Sequence, residues 1–430
     1  MIDAVLNVSI VDGPALVALY TLSAIVLVVL VLGLARRAHR RTTLSALGVA
    51  VAAGILGLVV CWLLGDVWDV FGISLSLATR LWVAAGFAGI GLAVMAMVTG
   101  RWRLRIVAIV AIPLFLISAA AGVNVDFGQF PTVRSALGLP AYQSLESALA
   151  DSGSGFTITQ ATDASKGVVG TVTIPATTSG FKARDALVYL PPAARVPNPV
   201  RLPVVMMMSG QPGSPADIFT AGHLETILDS FAAAHSGQAP IVVVPDQLGA
   251  PDNNPMCVDS PLGNSASYLT VDVPTWIRAN LPVATDPVDW TIAGFSQGGT
   301  CSIQLGAAHP ELFGNILDIS GELVPQNGST EQSIAAGFGG DAAAYAAAAP
   351  AAILAAHAPY ANLLAIFAVG ADDSRFLPYT HELADSARAA GATTQVFVSP
   401  GTAHDWHTVQ YAWTQALPVI AARGGVGETK

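Results

Sequence analysis

The stretch Trp290–Cys301 reads WTIAGFSQGGTC and places a serine inside a Gly-x-Ser-x-Gly pattern. The residues before the serine, DWTIA, are strand-like, and those after it, GGTCSIQLGAAHP, are helix-like. A sharp turn from strand to helix brings neighbouring backbone too close for a Cβ, which explains Gly294 and Gly298. Such a turn exposes the Ser296 hydroxyl at the end of the strand, so we predict that Ser296 is a nucleophile.

Strands and helices alternate along the chain on both sides of this turn. Continuous apolar runs that suit strands buried on both faces occur at 202–210 and 240–246, and further strands are predicted at 314–321, 363–370 and 394–401. Two earlier segments, GVVGTVTIPA and DALVYLPP, alternate as antiparallel strands do, and segments of helical period separate the later runs. This order predicts an α/β fold with a mostly parallel sheet and helices on both faces.

A serine hydroxyl is a weak nucleophile that needs a base and an orienting acid. With a strand–turn–helix nucleophile, the acid and the histidine follow the serine in that order. Asp372 and Asp373 follow the strand at 363–370, and Asp373 stands three residues after Gly370, which favours it as the acid. Asp372 stays open as the alternative acid.

The base is predicted on the short loop after the last strand. The segment VFVSPGTAHDWHT contains His404 and His407, and His404 comes first, three residues after Gly401. His407 is predicted to begin a helix, which favours a structural role. No His-x-x-x-His or Cys-x-x-Cys pair suggests a metal site, so we expect neither a metal nor a cofactor.

Two backbone N–H groups are expected to bind the oxyanion that forms when the serine attacks. Gln297, directly after the serine, would supply one of them. Gln211, in the loop after the strand at 202–210, would supply the other, because Pro212 has no N–H. The alternative for Gln211 is an ordinary tight turn.

Four apolar segments, at about 14–35, 45–65, 81–100 and 106–123, are long enough to cross a bilayer, which takes about 20 residues. They account for a hydrophobic content of 53% beside a charged content of only 11%. Basic residues cluster in the loops after the first and third segments: Arg36, Arg37, Arg40, Arg41, Arg101, Arg103 and Arg105. The positive-inside rule then places both termini, and everything after about residue 124, outside the cytoplasm.

The chain therefore has four predicted parts: a four-span transmembrane region at 1–123, a connecting segment at 124–154, an α/β domain at 155–422 and a disordered tail at 423–430. Cys61 lies inside the second span, whereas Cys257 and Cys301 lie in the outer domain, where disulfides persist. We expect a Cys257–Cys301 disulfide, with two buried free thiols as the alternative. The net charge of −10 argues against a nucleic-acid partner.

The motifs GFSQGGT, FAVGADDSRF and PGTAHDW resemble those of the esterase D-like family of α/β-hydrolases, over roughly 155–420. That family includes the mycolyltransferases of the actinobacterial cell envelope. The resemblance implies an α/β-hydrolase fold and a triad of Ser296, Asp373 and His404 that acts on esters. The mycolyltransferases use a glutamate as the acid and have no four-span anchor, which favours ester hydrolysis over acyl transfer here.

The whole layout, with several spans before an outer domain that contains PMCVDS and GGTC, resembles actinobacterial membrane esterases of this family. This resemblance implies a membrane-lipid or cell-envelope ester as substrate, including aminoacyl-lipid esters. Carboxylates at predicted strand ends could hold the α-amino group of an aminoacyl ester, with solvated loop acids as the alternative. They are Asp246, Asp252, Asp259, Asp318 and Glu322.

Three functions follow as hypotheses. The first is a membrane-anchored serine esterase outside the cytoplasm. The second is an acyltransferase that uses a sugar or lipid hydroxyl in place of water. The third is a non-catalytic envelope scaffold, which the complete set of nucleophile, acid, base and turn glycines disfavours.

Overall fold

The structure is a computed structural model and describes residues 2–36, 40–151 and 166–426. Arg37, the first residues of the predicted α/β domain (155–165) and the tail from 427 onward lie outside the described residues. The chain divides into two compact units, Met1–Leu139 and Pro140–Lys430.

The first unit is helical. Its helices are α1 (Ile2–Leu6), α2 (Gly13–Ala35), α3 (Arg40–Cys61), α4 (Leu77–Thr99), α5 (Trp102–Phe127) and α6 (Val133–Ala136), and a π-helical turn, Trp62–Val67, continues α3. Four stretches are long and apolar enough to cross a membrane: Gly13–Ala35, Thr43–Val67, Leu77–Thr99 and Trp102–Phe127. The prediction of four such segments is confirmed.

Small residues allow the long helices of this unit to approach closely. A Cβ on Gly122 of α5 would lie 2.1 Å from the Trp82 ring of α4, and a Cβ on Gly86 would lie 2.8 Å from the Ala119 side chain. Outward apolar side chains stay exposed, for example Val98 at 69%. Close contacts through small residues, with apolar side chains turned outward, are typical of helices that associate in lipid.

The second unit contains an eight-stranded sheet with the strand order β1-β2-β4-β3-β7-β8-β9-β10. The strands are β1 (Val168–Val172), β2 (Ala186–Leu190), β3 (Val204–Met208), β4 (Ile241–Val244), β7 (Trp290–Phe295), β8 (Asn315–Ile319), β9 (Leu364–Gly370) and β10 (Thr393–Ser399), while β5 (Asp259–Ser260) and β6 (Gly263–Asn264) pair separately. β1 pairs antiparallel with β2, β2 pairs antiparallel with β4, and every other neighbouring pair in the large sheet is parallel. The mostly parallel sheet with two early antiparallel strands is thus confirmed.

Helices cover both faces of the sheet. The α-helices described in this unit are α7 (Leu145–Asp151), α8 (Asp217–Thr220), α9 (Leu224–Ala234), α10 (Ser265–Ser267), α11 (Val273–Asn280), α12 (Gln297–Ala308), α13 (Thr330–Phe338), α14 (Ala342–Ala347), α15 (Pro350–His357), α16 (Phe376–Ala389) and α17 (Trp406–Arg423). In β3, Val204, Met206 and Met208 join one apolar core, whereas Val205 and Met207 join the other. Alternate residues of a strand point to opposite faces, so a continuous apolar run forms a strand only where helices cover both faces.

Candidate active site

Ser296 alone connects β7, which ends at Phe295, to α12, which begins at Gln297. Its backbone has φ 57° and ψ −119°, a conformation that residues with a side chain rarely adopt. The Ser296 N–H donates to the Ile319 carbonyl oxygen of β8 at 2.8 Å, which holds the turn on the sheet. The serine is partly exposed between buried neighbours, so its hydroxyl can reach a ligand.

Two glycines make room for this turn. A Cβ on Gly294 would lie 1.9 Å from the Gly298 carbonyl oxygen, and a Cβ on Gly298 would lie 2.4 Å from the Ser209 carbonyl oxygen. In both cases the obstacle is backbone, which cannot rotate away as a side chain can. The Gly-x-Ser-x-Gly pattern therefore reflects the close packing of β7, α12 and the end of β3.

The His404 imidazole lies against the serine hydroxyl, with Nε2 2.9 Å from Ser296 Oγ. The histidine follows β10 in the chain and is only 6% exposed. The rings of Phe295 and Phe376 pack on the imidazole, with centroids 4.9 Å and 4.2 Å away. These contacts restrict the imidazole to an orientation that keeps Nε2 at the serine.

Asp373 lies on the other side of the imidazole. Its Oδ2 is 3.0 Å from His404 Nδ1, and its Oδ1 accepts a hydrogen bond from the Phe376 N–H at 3.1 Å. The carboxylate is fully buried, whereas Asp372 is exposed to solvent. The structure therefore brings Ser296, His404 and Asp373 into one hydrogen-bonded row, and it places Asp372 outside that row.

The loop that carries His404 is held on both sides. A Cβ on Gly370, the last residue of β9, would lie 2.4 Å from the carbonyl oxygens of both Thr402 and Ala403, so glycine permits this approach. Asp405 accepts hydrogen bonds from the Ala403 N–H at 2.7 Å and the Thr408 N–H at 2.9 Å. His407 is exposed in the first turn of α17, as expected for a residue at a helix start.

The segments that contain the two predicted oxyanion donors both lie beside the serine. Gln297 is the first residue of α12, where a backbone N–H has no partner within the helix. The loop that contains Gln211 also passes beside the serine, because a Cβ on Gly210 would lie 3.4 Å from Ser296 Cβ. The Gln211 side chain donates to the Asp252 carbonyl oxygen at 3.2 Å. That both backbone N–H groups bind an oxyanion stays a prediction.

Cys257 and Cys301 form a disulfide with their Cα atoms 5.5 Å apart. Cys301 lies one turn after Gln297 in α12, and Cys257 lies in the segment that follows β4. Cys61 is a buried free cysteine of the first unit. The disulfide thus fastens the segment after β4 to the helix that follows the serine.

Other residues already bind some of the carboxylates at the strand ends. Asp246 is fully buried and forms an ion pair with Arg184, with Oδ1 2.7 Å from Nη2. Asp259 accepts hydrogen bonds from the Ser267 backbone and hydroxyl. Asp252 is exposed. These contacts leave Asp318 and Glu322 as the carboxylates to consider beside the serine.

Asp318 lies in β8 and faces α12. It is 1% exposed, and a Cβ on Gly299 would lie 2.5 Å from its Oδ1. Burial raises the pKa of Asp318 to about 7, and the Gly321 N–H opposes part of that rise. A carboxyl group this enclosed is in contact with protein rather than with a ligand.

Glu322 follows β8 and contacts Thr300 in the first turn of α12. The Thr300 hydroxyl oxygen is 3.3 Å from Glu322 Oε2 and 3.3 Å from the Ser296 carbonyl oxygen. Burial of the carboxylate raises the pKa of Glu322 to about 7, while the Thr300 hydroxyl and the Arg375 charge lower it and Asp318 raises it further. Glu322 therefore changes charge near neutral pH, one hydroxyl group away from the nucleophile turn.

A family model described as "Putative esterase" matches residues 182–423, a range that contains Ser296, Asp373 and His404. The chain belongs to this esterase family. It is a carboxylic ester hydrolase with an α/β-hydrolase fold. The esterase is 32% identical over 430 residues to an uncharacterized protein of Corynebacterium glutamicum, in a match that covers 98% of both chains.

A shorter sequence match and two similarities in fold stand beside this family match. A 77-residue match, 39% identical, relates 17% of the esterase to 25% of the MPT51/MPB51 antigen of Mycobacterium tuberculosis. A ferulic acid esterase shares the fold with a TM-score of 0.50 and 20% identity, covering 60% of this chain and 98% of its own. An S-formylglutathione hydrolase from Agrobacterium tumefaciens does so with a TM-score of 0.51 and 20% identity, covering 62% of this chain and 99% of its own.

The sequence patterns did not single out several residues that contact the row of three or the adjacent Gln297. Phe376 packs on His404 and binds Asp373, although only its position three residues after the acid pointed to it. Gln247 and Asn254 bind the Gln297 side chain. Both residues follow the carboxyl end of the buried strand PIVVVPD, and ligands bind at the carboxyl ends of strands in such sheets. This position in the sequence is the signal that could have identified them.

Proposed function

We propose that the esterase cleaves its substrate through an acyl-enzyme on Ser296, with His404 as general base and Asp373 as the orienting acid. The observation that carries this proposal is the row of contacts, 2.9 Å from Ser296 Oγ to His404 Nε2 and 3.0 Å from His404 Nδ1 to Asp373 Oδ2. A nucleophile, a base and an orienter within hydrogen-bonding reach of one another are the recurring signature of covalent acyl transfer.

In the first half of the reaction, Ser296 Oγ attacks the ester carbonyl carbon while His404 Nε2 accepts the hydroxyl proton. Asp373 accepts a hydrogen bond from Nδ1–H and stabilises the imidazolium that forms. The imidazolium then donates its proton to the leaving oxygen, and the alcohol departs. In the second half, water gives a proton to His404 and attacks the acyl carbon. The imidazolium then returns that proton to Ser296 Oγ as the bond from Oγ to the acyl carbon breaks, which releases the acid and regenerates the serine hydroxyl.

In this mechanism the oxyanion of each tetrahedral intermediate binds the backbone N–H groups of Gln297 and Gln211. The Gln297 N–H stands at the N-terminus of a 12-residue helix, whose partial positive charge favours an anion. Donors that are already in place require no reorganisation when the charge develops, so they lower the barrier.

The proposal also places the esterase on a membrane, with the four apolar helices as the anchor and the hydrolase domain outside the cytoplasm. The helices are 23 to 26 residues long, and a bilayer needs about 20. Arginines follow the first and third helices, which supports cytoplasmic loops there. Attachment beside the outer leaflet favours a membrane-lipid or cell-envelope ester as the substrate.

Among lipid-linked esters, an aminoacyl ester fits the charge near the serine. Ionised Glu322 would attract an α-ammonium group next to the ester carbonyl, and the exposed Asp252 and the paired Asp246 are poorer candidates. Arg375 opposes this attraction, and Asp318 supports it when ionised. This assignment concerns substrate choice only and leaves the roles of Ser296, His404 and Asp373 unaffected.

The role of Ser296 is tested with the purified full chain in detergent and a chromogenic short-chain ester. We expect Ser296→Ala to lower kcat by at least about 10⁴-fold and to abolish labelling by a fluorophosphonate, because the attacking oxygen is gone. Ser230→Ala, an exposed serine on α9, is the control and should react as the wild type does. Equal rates in wild type and Ser296→Ala would contradict the role of Ser296 as the nucleophile. Product analysis with an added carbohydrate acceptor separates hydrolysis from acyl transfer.

The role of Glu322 is tested by comparing an aminoacyl ester with a neutral acyl ester of the same alcohol. We expect Glu322→Gln to raise KM about tenfold for the aminoacyl ester and to leave the neutral ester unchanged. Because the Glu322 pKa is about 7, the preference of the wild type for the aminoacyl ester should grow from about pH 6 to about pH 7.5. An equal effect of Glu322→Gln on both esters would contradict this substrate assignment.

A further inference from the structure

The side-chain amide of Gln247 connects the two segments that carry the proposed oxyanion donors. Gln247 is fully buried, and its Nε2 donates to the Ser209 carbonyl oxygen at 2.6 Å and to Gln297 Oε1 at 3.0 Å. Ser209 stands two residues before Gln211, and Gln297 follows the nucleophile. One amide group thus bonds to both of the segments that carry the proposed oxyanion donors.

The Gln297 side chain continues this connection to a second amide. Its Nε2 donates to Asn254 Oδ1 at 3.0 Å and lies 3.2 Å from Cys301 Sγ of the disulfide. Asn254 Oδ1 also accepts the Met256 N–H at 2.8 Å, and Asn254 Nδ2 donates to the Gln326 carbonyl oxygen at 2.7 Å. The side chain of the residue after the nucleophile is therefore held at both ends of its amide.

Gln247, Gln297 and Asn254 form a row of three hydrogen-bonded side-chain amides. The backbone groups at the two ends of this row determine the orientation of all three amides. The Ser209 carbonyl can only accept, so Gln247 must present Nε2 to it. The Met256 N–H can only donate, so Asn254 must present Oδ1. Gln297 then has one allowed orientation, with its oxygen toward Gln247 and its nitrogen toward Asn254.

The segment 245–257, which we call the β4 loop, binds the Gln211 side at further points. The Gly213 N–H donates to the Pro251 carbonyl oxygen at 3.0 Å, and Gln211 Nε2 donates to the Asp252 carbonyl oxygen at 3.2 Å. The Cys257–Cys301 disulfide fastens the same loop to α12. The β4 loop is therefore a common support for the loop after β3 and for the turn that carries the nucleophile.

We propose that Gln247 is a positioning residue for the oxyanion hole. Its side-chain amide sets the separation between the backbone N–H groups of Gln297 and Gln211. This proposal rests on the roles proposed above for those two groups. Hydrogen bonds to a developing oxyanion depend steeply on donor position, since a displacement of about 1 Å can cost about 100-fold in rate. Gln247 touches neither substrate nor serine and acts through the two segments it joins.

The test uses Gln247→Met and Gln297→Met in the full chain, because methionine has a similar length and lacks the amide. We expect each variant to lower kcat about 10- to 100-fold and to keep KM within about twofold of the wild type. The kcat of the double variant should fall no further, because all three variants lose the hydrogen bond between Gln247 and Gln297. Gln304→Met is the matched control. Gln304 is another buried glutamine of α12, but it donates to the Ala348 carbonyl oxygen.

A second measurement separates positioning from mere stability. An arylboronic acid forms a tetrahedral, negatively charged adduct with a serine hydroxyl, so its affinity should fall in parallel with kcat/KM in both variants. Folded Gln247→Met protein with unchanged kcat and boronate affinity would overturn the proposal. Should that variant not fold, Gln297→Met decides by the same two measurements.

Loss of folding in both variants, with Gln304→Met folded, would show a purely structural role and would also overturn the proposal. The activity of Ser296→Ala distinguishes failure of the positioning role of Gln247 from failure of the proposed function. An inactive Ser296→Ala protein beside a fully active Gln247→Met protein rejects the positioning role alone. An active Ser296→Ala protein rejects both.

Discussion

At the scale of single residues, two adjacent aspartates differ in function because they differ in burial. Asp373 is fully enclosed, with one oxygen on His404 Nδ1 and the other on the Phe376 N–H. Asp372 is exposed, and its backbone N–H donates a hydrogen bond to the Thr402 carbonyl oxygen at 2.9 Å. A buried carboxylate acts on an imidazolium with little screening by water, whereas an exposed one is screened.

The two aspartates provide a matched pair of variants. We expect Asp373→Asn to lower kcat by about 10⁴-fold, because an amide nitrogen facing Nδ1 favours the wrong imidazole tautomer. Asp372→Asn should stay within about twofold of the wild type. The measurement is kcat and KM for a chromogenic ester, with thermal unfolding as the check that both variants fold. Comparable losses in both variants would contradict the choice of acid.

At the scale of structural elements, the disulfide joins α12 to the β4 loop across 44 residues of sequence. A cross-link over a loop of that length reduces the entropy of the unfolded chain by an amount worth about 4 kcal/mol. The bond lies beside the Gln297 side chain, so it also supports the helix that begins at the nucleophile turn.

Removal of the disulfide should therefore destabilise the hydrolase domain. We expect Cys257→Ala/Cys301→Ala to lower the free energy of unfolding by about 2 to 4 kcal/mol, measured by denaturant unfolding in detergent. The fully buried Trp290 and Trp413 report on this domain by fluorescence. Cys61→Ala, which changes the free cysteine of the first unit, is the control. Equal unfolding midpoints for the double variant and the wild type would contradict a stabilising bond.

At the scale of the whole molecule, the helical unit and the hydrolase unit differ in where they place their large apolar side chains. Large apolar side chains are exposed along the first unit, including Val17 at 64% and Ile109 at 58%. In the second unit the large apolar side chains fill two cores on the two faces of the sheet. The first surface suits lipid and the second suits water, which supports a membrane-anchored enzyme.

The proposed orientation leads to a labelling experiment in intact cells. Lys182→Cys, exposed in the hydrolase unit, should react with a membrane-impermeant maleimide, whereas Trp102→Cys, beside the arginines that follow the third span, should react only after lysis. The wild type is the control, because its cysteines are buried or paired. The reverse labelling pattern would place the hydrolase domain in the cytoplasm and contradict the orientation.

The sequence alone determined the local features of this protein. The run before Ser296 and the glycines around it predicted the nucleophile turn, because strand periodicity and the steric needs of a tight turn are encoded in neighbouring residues. The buried strands and the four long apolar helices were predictable for the same reason, since each depends on a continuous stretch of side chains.

Only the tertiary structure decided which of several polar residues meet. The contact of Ser296 with His404 spans 108 residues and was predicted through the order of nucleophile, acid and histidine, whereas no pattern connected Gln247 with Gln297, 50 residues away. The burial of Asp373 beside an exposed Asp372, and the contact of Glu322 with Thr300, depend on packing that distant strands and helices create. The energy of a polar group depends on its enclosure and its partners, and long-range packing supplies both.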